Sequence, residues 1–176
     1  MTANGLRDEA RGEVARLSGN ASRLLARIEG TAAADQRYWH PEPDAWSLTE
    51  IVQHLALVNS GMLRTARPTK WQAGWWGAAK SATMTRFLRS SIKIKAPVAA
   101  IVPRPGVTWD QARGNLVASI SKWTDFVDGD SFESTFFHHP LVGRLTAAHT
   151  AKFVADHFDH HMRQVDRLFA ALPKES

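Results

Sequence analysis

The sequence predicts an all-α fold, a four-helix bundle with a long connection between the second and third helices. Three observations predict it. Four segments carry apolar residues at helical spacing, two of them have strong start or stop signals, and no stretch shows a strand pattern strong enough to support a sheet. At 176 residues the chain is expected to form one domain, spanning 1–176.

The first helix is predicted over Leu6–Glu29, where Val14, Leu17, Leu24, Leu25 and Ile28 recur at mostly helical spacing. Gly12 and Gly19 weaken it and leave a break near Gly19 open as an alternative, and Gly30 serves as the stop. The proline-rich WHPEPDAW that follows should be irregular. The second helix has the clearest start: Ser47 and Glu50 form a capping box, flanked by Trp46 and Ile51 as hydrophobic staple. It should run from Leu48 to about Arg64. In residues 68–106, Met84, Phe87, Leu88 and Ile92 can line a short helix, and KIKAPVAAIVPRPG should run extended over the surface. Thr108 or Asp110 starts the third long helix, which stops near Gly129. A loop containing Phe136, Phe137 and HHPLVG leads to the last helix, predicted over Thr146–Ala171. Long amphipathic helices joined in this way pack as a bundle.

Composition narrows the chemistry. The chain has no cysteine, so disulfides, thiolate metal sites and cysteine nucleophiles are excluded. The start, MTANGLRDEARGEVARL, has early acidic residues and no apolar block. No signal peptide or membrane span is therefore predicted, and a cytoplasmic location is expected. The net charge of +5 is uneven. Between Glu50 and Asp110 lie nine basic residues (Arg64, Arg67, Lys70, Lys80, Arg86, Arg89, Lys93, Lys95 and Arg104) and no acidic one.

The stretch HFDHHMRQVDR (157–167) places three histidines on the last helix. At about 100° per residue, Phe153, His157, His161, Gln164 and Leu168 share one stripe, while His160 falls at its edge. On the second helix His54 lies near a stripe of Ile51, Leu55, Val58 and Met62. Burying an imidazole costs free energy unless its nitrogens are bonded. An i, i+4 pair with a third histidine from a facing helix can instead hold a divalent metal with one position open. Three neutral imidazoles favour zinc, with nickel, iron or copper as alternatives. For His54 taken alone, a hydrogen-bonded core histidine is the competing reading.

WSLTEIVQHL (46–55) resembles the early motif of the DinB-like superfamily. HPLVGRLT (139–146) with HFDHHMRQ (157–164) resembles its closing motif, and the resemblance covers about 39–172. It implies a four-helix bundle binding a divalent metal through His54, His157 and His161, with His160 as a neighbour. It relates the chain to YfiT and to mycothiol- or bacillithiol-dependent S-transferases. The expected function is a metal-dependent enzyme, transferring a low-molecular-weight thiol to a small electrophile or hydrolysing a small substrate. Glu50, one turn before His54, and Gln164 are expected beside the ligands or the substrate, although the capping box already accounts for Glu50.

The basic segment leaves rival readings open. Arg64 or Arg67 can grip an acidic substrate such as a carboxylated thiol. With Trp71, Trp75 and Trp76, the 64–104 segment can bind nucleic acid or an anionic membrane surface, or form a solvated face with a homodimer contact at Trp71 and Trp76. A non-catalytic structural or sensor bundle is the third class. His138, His139 and His149 have no assigned role.

Overall fold

The computed structural model describes residues 3–68, 99–139 and 143–173. Among them are four α-helices: α1 (Ala3–Thr31), α2 (Leu48–Arg64), α3 (Trp109–Asp128) and α4 (Ala147–Ala171). The chain is a four-helix bundle with a small sheet.

Each helix follows from local signals. In α1 the buried positions Ala10, Val14, Leu17, Ala21, Leu24 and Ile28 repeat every three or four residues straight across Gly19. The helix runs unbroken through Gly19, because a continuous apolar stripe outweighs the weak propensity of one glycine. Both halves of the α2 capping box form: Ser47 Oγ accepts from Glu50 N (3.3 Å), and Glu50 Oε2 accepts from Ser47 N (2.8 Å). Thr108 rather than Asp110 caps α3, in a second box with Gln111, and Gly129 closes that helix. Thr146 caps α4 through the backbone N–H of His149.

Helices α1 and α2 each pack mainly against α3 and α4 rather than against each other. Contacts at their ends give the directions. Arg7 of α1 meets Glu133 just beyond α3, while Glu29 near the other end of α1 meets Arg113 near the start of α3, so these two run antiparallel. Glu13 faces Lys152 and Arg27 faces Asp166, so α1 and α4 run parallel. The starts of α2 and α3 meet around 37–38, where Thr49 Oγ1 donates to Arg37 O and Trp109 N donates to Tyr38 Oη. Further along, Asn59 O accepts from Trp123 Nε1 and Asn59 Nδ2 donates to Ser119 Oγ, so α2 and α3 are also parallel. The order is up, down, down, up. Two consecutive parallel helices need a connection that returns along the bundle, which is why the α2–α3 link is long.

The expectation of no sheet is corrected. Arg67–Pro68 (β1), Thr135–His139 (β2) and Gly143–Thr146 (β3) form an antiparallel sheet in that order, with Phe137 opposite Leu145 and Arg67 opposite Phe136. The segment read as a loop around Phe136 and Phe137 is a hairpin arm. Phe137 is fully buried and stacks on Trp123 at 5.5 Å between centroids, so packing on the bundle holds strands too short to show a period. Pro68 sits in the edge strand, where a missing N–H is tolerated. The short helix expected around Met84–Ile92, and Trp71, Trp75 and Trp76, lie outside the described residues. Of the stretch expected to be extended, Ala99–Ile101 is a 3-10 turn.

Candidate metal centre

The antiparallel contact of α2 with α4 brings His54 against His157 and His161. His54 and His161 are buried and His157 is half-buried. Nε2 of His157 lies 3.4 Å from Nε2 of His54 and 3.3 Å from Nε2 of His161. The candidate ligand atoms all lie within 4.8 Å of one another.

The opposite ring nitrogens fix the protonation of His54 and His161. His54 Nδ1 is 2.7 Å from Ile101 O, and His161 Nδ1 is 2.9 Å from Gln164 Oε1. Both oxygens only accept, so both Nδ1 atoms donate and both Nε2 atoms present lone pairs. A single N–H on His157 Nε2 serves at most one of those lone pairs, whereas a cation serves all three. Tetrahedral ligand nitrogens about 2.0–2.1 Å from zinc stand about 3.3–3.4 Å apart. The separations of His157 Nε2 from the other two match this spacing, and the third pair lies within 4.8 Å, so the residues fit a divalent ion.

Electrostatics favours the same state. Burial pushes His54 down to about 4 against the pull of its Ile101 hydrogen bond. Burial, followed by the nearby His54, pushes His161 to about 3. His157 is held well below the ordinary range by burial and then by His161 and His54. At neutral pH all three are uncharged, so their lone pairs are available without a proton having to leave.

Trp46, half-buried, covers one side. Its ring lies 4.7 Å from that of His54 and stacks on His161 at 6.2 Å. The sequence marked Trp46 only as a staple. The Ile101 carbonyl was not anticipated at all, because every residue carries a carbonyl and nothing in a side chain marks the one that will be used.

Of the other expected residues, Gln164 meets the imidazole of His161. The expectation that Glu50 orients His54 is corrected. Its carboxylate turns back to Ser47 N, Ser47 Oγ and Nε2 of His40 (2.7 Å), while Ile101 takes the free nitrogen of His54. Arg64 is exposed at the end of α2, ten residues and about 15 Å along the axis from His54. Arg67 Nη1 donates to Arg64 O and Ala66 O. His160 packs edge-on against His161 at 5.2 Å but is not one of the three converging imidazoles. His138 is exposed, and His149 is half-buried. His139 is buried against Phe153, which itself lies 5.8 Å from His157. Most of the basic 64–104 segment falls outside the described residues, and no helix among those described is long and apolar enough to cross a membrane.

Comparison with known proteins gives the same frame. Residues 16–165 match the model of the DinB superfamily. One similar solved structure is YfiT from Bacillus subtilis, described as "a probable metal-dependent hydrolase with an unusual four-helix bundle topology". It is 13% identical with a TM-score of 0.56, covering 96% of this chain and 87% of that one. Another is TT2238, described as a four-helix bundle protein, 20% identical with a TM-score of 0.48, covering 90% of this chain and 98% of that one. No curated protein matches the chain. With a family match that reaches into all four helices and includes all three converging histidines, the chain belongs to the DinB superfamily.

Proposed function

We propose that this protein is a metal-dependent enzyme in which His54, His157 and His161 hold one divalent ion beside a small-molecule substrate. One observation carries the reading: three neutral imidazoles converge within 4.8 Å, and His157 Nε2 stands from the Nε2 atoms of His54 and His161 at the spacing of ligands on a tetrahedral ion. Zinc suits three imidazoles with an open position best; nickel, iron and copper are the alternatives. When bound, an ion with uncharged ligands keeps its full positive charge and supplies Lewis acidity, acidifying water or a thiol and polarising a substrate oxygen.

The protein's own residues prepare the site. Ile101 O and Gln164 Oε1 fix the rings of His54 and His161. Trp46 shields both rings from water on one side, which strengthens electrostatic interactions there. The candidate ligand group holds no carboxylate among the described residues. Proton transfer then falls to the substrate, to solvent or to a neighbouring imidazole. We infer hydrolysis of a small substrate as the reaction, supported by the description of YfiT at the level of fold. Transfer of a small thiol to an electrophile is the second reading, supported by the sequence motifs.

The test uses untagged protein, reconstituted with zinc or nickel and analysed for bound metal. Wild type is expected to hold about one equivalent and His157→Ala almost none. Wild type without stoichiometric metal after both treatments rejects the proposal. Loaded protein is then assayed on activated esters and amides, and separately on a small thiol with an electrophile, to decide between the two reactions.

A further inference from the structure

The segment 99–104, at the end of the long α2–α3 connection, lies along α2 and is tied to it at two points. Gln53 Oε1 accepts from Arg104 N (2.9 Å), and Ile101 O accepts from His54 Nδ1 (2.7 Å). Ile101 Cγ2 also lies 3.8 Å from the place a Cβ on Gly61 would take. Gly61 is two turns from His54 on the same face. Consecutive residues of α2 thus hold one short strap, and one of them is a converging histidine.

Gln53 is an unusual choice for its position. It is buried, and a buried amide costs free energy unless its polar atoms are bonded. Its acceptor reaches the backbone of an exposed residue, a bond that adds nothing to the apolar core. What it does hold is the strap that carries the Ile101 carbonyl. Without an acceptor at Nδ1, nothing keeps the proton of His54 off Nε2, where it blocks the lone pair facing His157 and His161.

We propose that Gln53 is a positioning residue. By anchoring Arg104 it keeps the Ile101 carbonyl on His54 and so locks His54 in the Nδ1–H tautomer. The importance of this lock rests on the metal-centre reading, but the lock itself needs no ion.

The experiment therefore begins with metal-free protein. Histidine ring nitrogens are labelled with 15N and read by NMR at pH 7.5 in wild type, Gln53→Met and Gln53→Glu. Wild type is expected to show His54 as Nδ1–H. Gln53→Met, similar in length but without the acceptor, is expected to give a mixture with the Nε2–H form and faster amide exchange at Arg104. Its zinc affinity, measured by chelator competition, should fall about tenfold. Gln53→Glu restores an acceptor and should return all three readouts toward wild type. Arg104→Pro removes the same hydrogen bond from the exposed side and should reproduce the tautomer shift without touching the core. If His54 stays fully Nδ1–H in both Gln53→Met and Arg104→Pro, or if zinc affinity is unchanged despite a shifted tautomer, the inference is overturned. If wild type binds no zinc but both variants show the tautomer shift, the metal reading is rejected and the lock stands.

Discussion

His161 is oriented from within its own helix. Gln164, three residues on, accepts from its Nδ1 at 2.9 Å. Gln164→Leu leaves that donor unpaired and the ring free to turn, so zinc affinity should fall about 10- to 100-fold. His160→Ala, which removes a ring outside the convergence, should bind zinc as wild type does. Chelator competition checks both, and equal losses in the two variants argue against the orienting role. Helical periodicity made His157, His161, Gln164 and the edge position of His160 legible in the sequence, because 100° per residue is a strict rule over two turns. The same rule put Glu50 one turn from His54 but could not say where a flexible carboxylate points. The cap and His40 take it. Ile101 is 47 positions from His54, beyond any local rule.

At the scale of the elements, helices with caps were legible nearly to the residue, whereas the sheet was not. The three strands have two, five and four residues, too few for a period of two to stand out. The hairpin lacks an Asn-Gly or Asp-Gly signal, and its left-handed residue, Gly143 at φ 76°, looks like any loop glycine in the sequence. Glycine misled in α1 as well. Gly12 sits inside a continuous helix, and a Cβ there meets nothing within 4 Å. Gly12→Ala should therefore stabilise the protein by roughly 0.5–1 kcal/mol. Urea unfolding measures it, and a loss of stability would mean that α1 is not regular helix at that point.

For the whole molecule, the bundle was legible and the helix directions were not, because apolar stripes do not encode which neighbour runs parallel. Folding also keeps several imidazoles neutral, which makes stability depend on pH. Burial lowers His139, outside the converging set, from 6.5 to about 4. Its folded value lies below its unfolded one, so the unfolded chain takes up the proton first. The contribution is complete above about pH 6.5 and is lost as pH falls toward 4, at up to about 1.4 kcal/mol per pH unit. Metal-free wild type should have a lower urea midpoint at pH 5 than at pH 7. His139→Leu should show a smaller drop, and an identical drop would remove His139 from this account.

The separation of the converging histidines along the chain also orders events in time. His54 and His157 are 103 positions apart, on helices that meet only when the bundle closes. An intermediate in which α4 has not docked has His54 alone, with no partner imidazole in reach. The site is thus a late product of folding, and an ion held there becomes a clasp across a loop of about a hundred residues. Loaded protein should open slowly even where free protein opens fast, and a segment ending before α4 has nothing to load.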